Sequence, residues 1–124
     1  MIFGVGCDIC QIKRIDRVYK KHGQRFVNRL LAPEEQRTPI TSAFLAKRFA
    51  GKEAVIKAMG TAFTKGLFLK DVRITNALSG QPIVTLTDKA QAHLPPHVKV
   101  HLSLSDEEDY ALAYAVIEVR DENI

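Results

Sequence analysis

The chain has 124 residues, 46% hydrophobic and 26% charged, enough apolar material for one domain to build a core without disulfides or a structural metal. That composition excludes a disordered polyelectrolyte, and the longest apolar run, Tyr110 to Ile117, is far too short to span a bilayer. The formal charge of +4 hides an asymmetry, because residues 1–60 carry 12 Lys/Arg against 5 Asp/Glu and residues 61–124 carry 6 against 9. A basic front half suits a polyanionic partner: nucleic acid, phosphates or an acidic protein. The segment Met1–Gly6 lacks the basic start and extended apolar stretch of a signal peptide, so the expectation is a soluble, cytoplasmic protein without a membrane partner.

Residues 2–8 read as a strand with two unlike faces, Phe3, Val5, Cys7 and Ile9 on one side, Ile2, Gly4, Gly6 and Asp8 on the other. Two glycines on one face imply close approach by a helix or a ligand, and Asp8 ends that face where there is room. Cys7 and Cys10 have no second cysteine pair and no adjacent His, which argues against zinc; Cys7 is expected in the core and Cys10 to be incidental. From Gln11 to about Leu31 the spacing of Ile12, Ile15, Val18 and Tyr19 is helical, and Gly23 should divide it into two short helices. Lys13, Arg14, Arg17, Lys20 and Lys21 form a basic outer stripe without aromatics, ordinarily a solvated face. Leu31-Ala32-Pro33-Glu34-Glu35 is a stop and a restart, with Pro at the first helical position.

The next helix is predicted over Ser42–Met59, capped by Thr41 or Ser42 and ended by Gly60. Its alanines at 43, 46, 50, 54 and 58 permit close packing. Phe49, Glu53 and Lys57 run along one edge, with Arg48 and Lys52 on the adjacent stripe. After a loop at 61–70, strands at 72–74 and 83–86 flank a hairpin connection, Gly80-Gln81-Pro82. A short helix is expected from Asp88 to Leu94, ended by Pro95-Pro96. Residues 98–105 alternate as a half-buried strand, and an acidic turn, Asp106–Asp109, leads into a strand over Tyr110–Val119. There Ala111, Ala113 and Ala115 make a small-residue face suited to a helix or to another subunit. The predicted class is α+β, mostly antiparallel sheet packed by helices from the N-terminal half.

Asp8 and Glu53 are the candidates for chemistry. A carboxylate at the open end of a glycine-flanked strand has space for a metal or a substrate, and one on the inner edge of an alanine-rich helix needs a cation. One or two carboxylates, completed by substrate phosphates and water, is the usual protein shell for Mg2+. Lys57, one turn on, would be a point charge for the same phosphates. The plainer alternatives are an exposed i,i+4 pair between Glu53 and Lys57, and a strand-end acid at Asp8. His22, His93, His97 and His101 have no spacing that makes a metal cluster.

Gly4-Val5-Gly6-Cys7-Asp8-Ile9, Arg14-Ile15, and Phe44-Leu45-Ala46-Lys47-Arg48-Phe49-Ala50-Gly51-Lys52-Glu53-Ala54 with Lys57-Ala58-Met59-Gly60-Thr61 together resemble the short type of 4′-phosphopantetheinyl transferase. Gly80-Gln81-Pro82 and Ser103-Leu104-Ser105 fall where that family has its G-K-P and S-x-S segments, so the likeness runs the length of the chain. It implies one transferase domain over residues 1–124, moving the 4′-phosphopantetheine arm of coenzyme A to a serine of apo acyl carrier protein. Adenosine 3′,5′-bisphosphate is then released, and fatty acid biosynthesis is the implied setting. By position, Asp8 and Glu53 correspond to Mg2+ ligands, and Lys57 to the lysine on the pyrophosphate. Arg48, Gly60 and Thr61 correspond to the adenosine 3′-phosphate pocket. Arg14 matches the arginine that receives the acidic helix of the carrier, which makes Arg14, Arg17 and Lys21 a docking surface. A homotrimer with sites between subunits is implied as well.

The carrier serine needs a base; Asp8, directly or through water, is the first candidate, and Lys57 the second if its pKa is depressed. Two positions depart from the family pattern. Asp106 stands where many short members have His, and an acid there repels a phosphate; Cys10 stands where the two-lobed relatives have a second acid. A non-catalytic coenzyme A binder and a small nucleic-acid-binding protein are the rival readings. The aromatic-free basic stripe and acidic second half speak against nucleic acid.

Overall fold

The computed structural model describes residues 1–60 and 66–120. Strand β1 (Ile2–Gln11) runs into α1 (Ile12–His22), α2 (Gln24–Leu30) and a 3-10 turn at Pro33–Glu35. The long helix α3 (Ser42–Ala58) follows, then β2 (Val72–Asn76), β3 (Pro82–Leu86), the short α4 (Asp88–Gln91), β4 (Val98–Asp106) and β5 (Tyr110–Val119). A three-stranded antiparallel sheet has the order β1-β5-β4, and β2 and β3 form a separate hairpin. The predicted class therefore stands, with helices from the first half laid on one face of the sheet.

Gly23 separates α1 from α2 as expected, at φ +54. The Ile12 N–H donates to the Asp109 carbonyl at 2.9 Å, which ties the start of α1 to the β4–β5 turn. Thr41, rather than Ser42, caps α3, its hydroxyl accepting from the Phe44 N–H at 3.1 Å. Gly60, at φ +84, supplies the left-handed residue that ends this helix.

Helix α3 is the spine of the molecule, with 11 of its 17 residues buried. It lies directly on β1. A Cβ at Gly4 would stand 1.9 Å from the Ala58 carbonyl oxygen, and one at Gly6 1.9 Å from that of Ala54. The partner implied by the two glycines is thus a helix backbone. Ala111, Ala113 and Ala115 are fully buried on the same side, so the alanine face of β5 receives this helix and not another subunit.

One cysteine assignment is reversed. Cys7 is exposed and Cys10 is buried, because β1 turns its glycine face inward and Cys10 shares that face with Gly4, Gly6 and Asp8. The bulkier face is the outer one: Phe3, Val5 and Ile9 are exposed beside Leu112 and Tyr114 of β5.

Candidate active site

Asp8 continues the glycine face of β1, and α3 brings Lys57 to it. Lys57 Nζ donates to Asp8 Oδ1 at 3.0 Å and to the Cys7 carbonyl at 3.2 Å. The Asp8 side chain is 16% exposed and that of Lys57 47%, so the pair is open to solvent on the lysine side. The hydrogen bond to Asp8 is the main cause that pushes the Lys57 pKa up. A lysine acting as base needs the opposite shift, so the second candidate for that role is withdrawn. The i,i+4 pairing of Glu53 with Lys57 is also replaced, since the lysine turns to Asp8 instead.

Burial first, then the charge of Asp8, raise the pKa of Glu53; Lys57 and Arg14 oppose the shift. Asp8, Glu53, Lys57 and Arg14 therefore share one electrostatic neighbourhood. Cys10 lies in it too, its thiol pushed up mainly by burial. Among the described residues no three His, Cys, Asp or Glu side chains are gathered as a metal cage. Two hard oxygen donors that repel each other fit a divalent cation that takes the rest of its shell from phosphates and water.

A second cationic feature lies at Arg48. This residue is 6% exposed, donates from Nη2 to Asn76 Oδ1, and leaves Nη1 buried without a partner among the described residues. Its guanidinium sits 5.0 Å from the Phe44 ring centre, and Arg37 stacks on the same ring at 4.2 Å. Burial, then the charge of Arg37, lower the Arg48 pKa. A desolvated guanidinium with an open donor beside a second arginine has the chemistry to receive an anion. Arg37 had carried no signal in the sequence, because its partner Phe44 is seven positions away.

Asp106 is met by Lys47 of the same chain at 3.1 Å, which offsets the acid that had looked hostile to a phosphate. Arg14, Arg17 and Lys21 are all exposed on α1, as a docking stripe requires. Val18, His22, Arg25, Phe26 and Arg29 line a small groove between α1 and α2, which extends this basic face onto α2. Gly60 is exposed at the end of α3, and Thr61 lies outside the described residues. A groove of 590 Å³ between β3 and β4, lined by Pro82, Lys99, His101 and Tyr114 among others, contains neither Asp8 nor Glu53.

Sequence comparison decides the family. The 4′-phosphopantetheinyl transferase superfamily matches residues 4–115. The chain belongs to that superfamily. Its relatives include a holo-[acyl-carrier-protein] synthase of Wolbachia pipientis subsp. Culex pipiens, 39% identical over 94% of this chain and 98% of that protein. The fold is similar to the crystal structure of the Neisseria meningitidis holo-[acyl-carrier-protein] synthase, with a TM-score of 0.82, 38% identity, and coverage of 95% of this chain and 99% of that one. It is also similar to the Helicobacter pylori synthase in complex with coenzyme A, with a TM-score of 0.83, 28% identity, and coverage of 92% and 99%. As a member of this superfamily the chain is a phosphopantetheinyl transferase.

Proposed function

We propose that this transferase moves the 4′-phosphopantetheine arm of coenzyme A to a serine of apo acyl carrier protein, in a magnesium-dependent reaction that releases adenosine 3′,5′-bisphosphate. The observation that carries it is the ion pair of Asp8 with Lys57 within the electrostatic reach of Glu53, in a chain that the family matches over residues 4–115. The coenzyme A complex of the Helicobacter pylori relative supports the donor, and the relatives' name supports the acceptor.

The reaction forms a bond from the serine oxygen to the β-phosphorus and breaks the bond to the bisphosphate, so it needs positioning and neutralised charge. Asp8 and Glu53 would hold Mg2+, which when bound offsets the charge on the pyrophosphate. Asp8, directly or through water, takes the serine proton. Lys57 stays protonated and, leaving Asp8, places its charge on the pyrophosphate. Arg48, with its open Nη1, holds the 3′-phosphate, and Gly60 and Thr61 are assigned to the same pocket on the strength of the family resemblance. The exposed arginines and lysine of α1 receive the acidic carrier protein.

We infer a homotrimer with its sites between subunits, and the layout of α3 supports sites shared between copies. Arg48 and Glu53 are five positions apart on α3, about 140° around its axis, so one copy turns them to different flanks. The outer sheet face, with Phe3, Val5, Ile9, Leu112 and Tyr114 exposed, offers the apolar surface for assembly. No described helix is long and apolar enough to cross a membrane, and the setting we infer is the cytoplasm.

Intact-mass spectrometry of apo acyl carrier protein with coenzyme A tests the reading. A gain of one phosphopantetheine with Mg2+, abolished by chelator and by Asp8→Ala, is expected. No gain from folded protein that still binds coenzyme A would leave a binding module.

A further inference from the structure

Lys52 has the sequence setting of a surface residue, yet its side chain is wholly buried. Its Nζ donates to Glu35 Oε1 at 2.8 Å and to the Leu30 carbonyl at 2.6 Å. The Glu35 carboxylate, equally buried, accepts the Ala32 N–H on Oε1 at 2.9 Å and the Ile74 N–H on Oε2 at 3.0 Å. One ion pair thus joins the end of α2, the turn after it, the middle of α3 and strand β2.

Other polar contacts of α3, among them Lys47 to Asp106 and Lys57 to Asp8, reach solvent and hold its rotation less firmly than a buried pair. Apolar burial has no direction, and this helix is buried nearly all round. The glycines of β1 set how closely the C-terminal half of the helix approaches, at Ala54 and Ala58. A buried pair is different, because turning the helix by one residue would leave a charged carboxylate in the core without its cation. Lys52 immediately precedes Glu53, so what fixes one aims the other. Buried ion pairs have their best-attested use in setting register.

We propose that Glu35 and Lys52 are positioning residues for the transfer: their buried ion pair sets the rotation of α3 that turns Glu53 and Lys57 toward Asp8. The proposal rests on the carboxylate site described above, and its test separates the two. The variant is Glu35→Gln with Lys52→Met, which removes both charges and keeps an acceptor for one of the two backbone N–H groups. Residual dipolar couplings of the α3 amides are measured against those of β1 and β5, together with contacts from Gly6 to Ala54. Transfer kinetics are followed on the same samples.

The variant is expected to melt cooperatively, with α3 couplings that no longer fit the native helix orientation. Its kcat should fall about tenfold and the Mg2+ needed for half-activity rise by a similar factor, while KM for the carrier, docked on α1, stays within about twofold. Native couplings with native kcat, and only a lower Tm, would overturn the proposal and leave a stabilising strut. If that double variant does not fold, Glu35→Gln with Lys52→Gln, which is neutral and keeps a hydrogen bond between the two side chains, is read by the same couplings and kinetics, with smaller changes in the same direction expected and native values overturning the idea. If the wild-type chain itself transfers nothing, the reading of the site has failed, and the couplings alone then decide whether the pair orients the helix.

Discussion

Glu53 holds its position against its own electrostatics. Burial and Asp8 both resist its ionisation, so its folded pKa lies above that of an unfolded chain. A raised carboxyl binds more protons folded than unfolded, and above that window its charge costs stability. Glu53→Gln should therefore abolish transfer, on the order of a hundredfold or more, while raising Tm slightly. The gain is small because solvent screens a half-exposed pair. Thermal melts beside the mass assay check it, and a lower Tm would show that Glu53 serves the fold instead. Lys52 has the opposite shift, pushed down to about 8 mainly by burial against the pull of Glu35. Here the unfolded chain binds the extra proton, so the cost is full below about pH 8 and relieved as pH rises toward the ordinary lysine value. Urea titrations at rising pH should show the wild-type chain gaining stability relative to the Glu35→Gln, Lys52→Met variant across that window. Parallel curves would mean that Lys52 titrates as an ordinary lysine.

At the scale of elements, the packing of α3 on β1 is set by what the glycines omit. A methyl at Gly6 would lie 1.9 Å from the Ala54 carbonyl oxygen, and backbone atoms on a rigid helix cannot step aside. Gly6→Ala should destabilise the chain by about 3–5 kcal/mol, read as a lower urea midpoint at an unchanged slope. A loss under about 1 kcal/mol would mean that the helix can lift off the strand. This contact was legible in the sequence, because Gly-x-Gly in a strand announces a close neighbour and the Ala-rich run supplies one. The division at Gly23, the β2–β3 hairpin and the alternation in β4 were legible for the same reason: period and turn chemistry are local. What escaped was non-local. Lys52 finds Glu35 17 positions away and Ile74 beyond it, so its side chain reads as solvated until the fold closes. Cys7 and Cys10 exchanged places because the inward face of β1 is chosen by the helix, which needs the glycines, and not by the larger apolar side chains. The site followed the same rule. Asp8 and Glu53 stood out by type and spacing, whereas the turn of Lys57 to Asp8 and the open donor of Arg48 needed neighbours that only folding supplies.

For the whole molecule, the question is whether one copy can hold coenzyme A. The open guanidinium of Arg48 belongs with Asn76 and Phe44, and the carboxylate of Glu53 with Asp8 on β1. If sites form between subunits, each draws Asp8 from one copy and Arg48 from its neighbour across the apolar outer face. Leu112→Glu places a charge on that face where the lone chain is already exposed, so the fold should survive. Light scattering should then show monomer in place of trimer, with transfer lost. The sharper measurement uses two dead chains, Asp8→Ala and Arg48→Ala, refolded together. In a random mixture about a quarter of the interfaces join an intact Asp8 to an intact Arg48, and activity should return in that proportion, though neither variant works alone. A mixture as inactive as its components would place both residues in the same copy's site. That result would also leave the exposed row of Phe3, Val5, Ile9, Leu112 and Tyr114 without the role assigned to it. Recovery would show that the apolar face and the separated charges are parts of one arrangement, in which the chain completes its active site only by meeting itself.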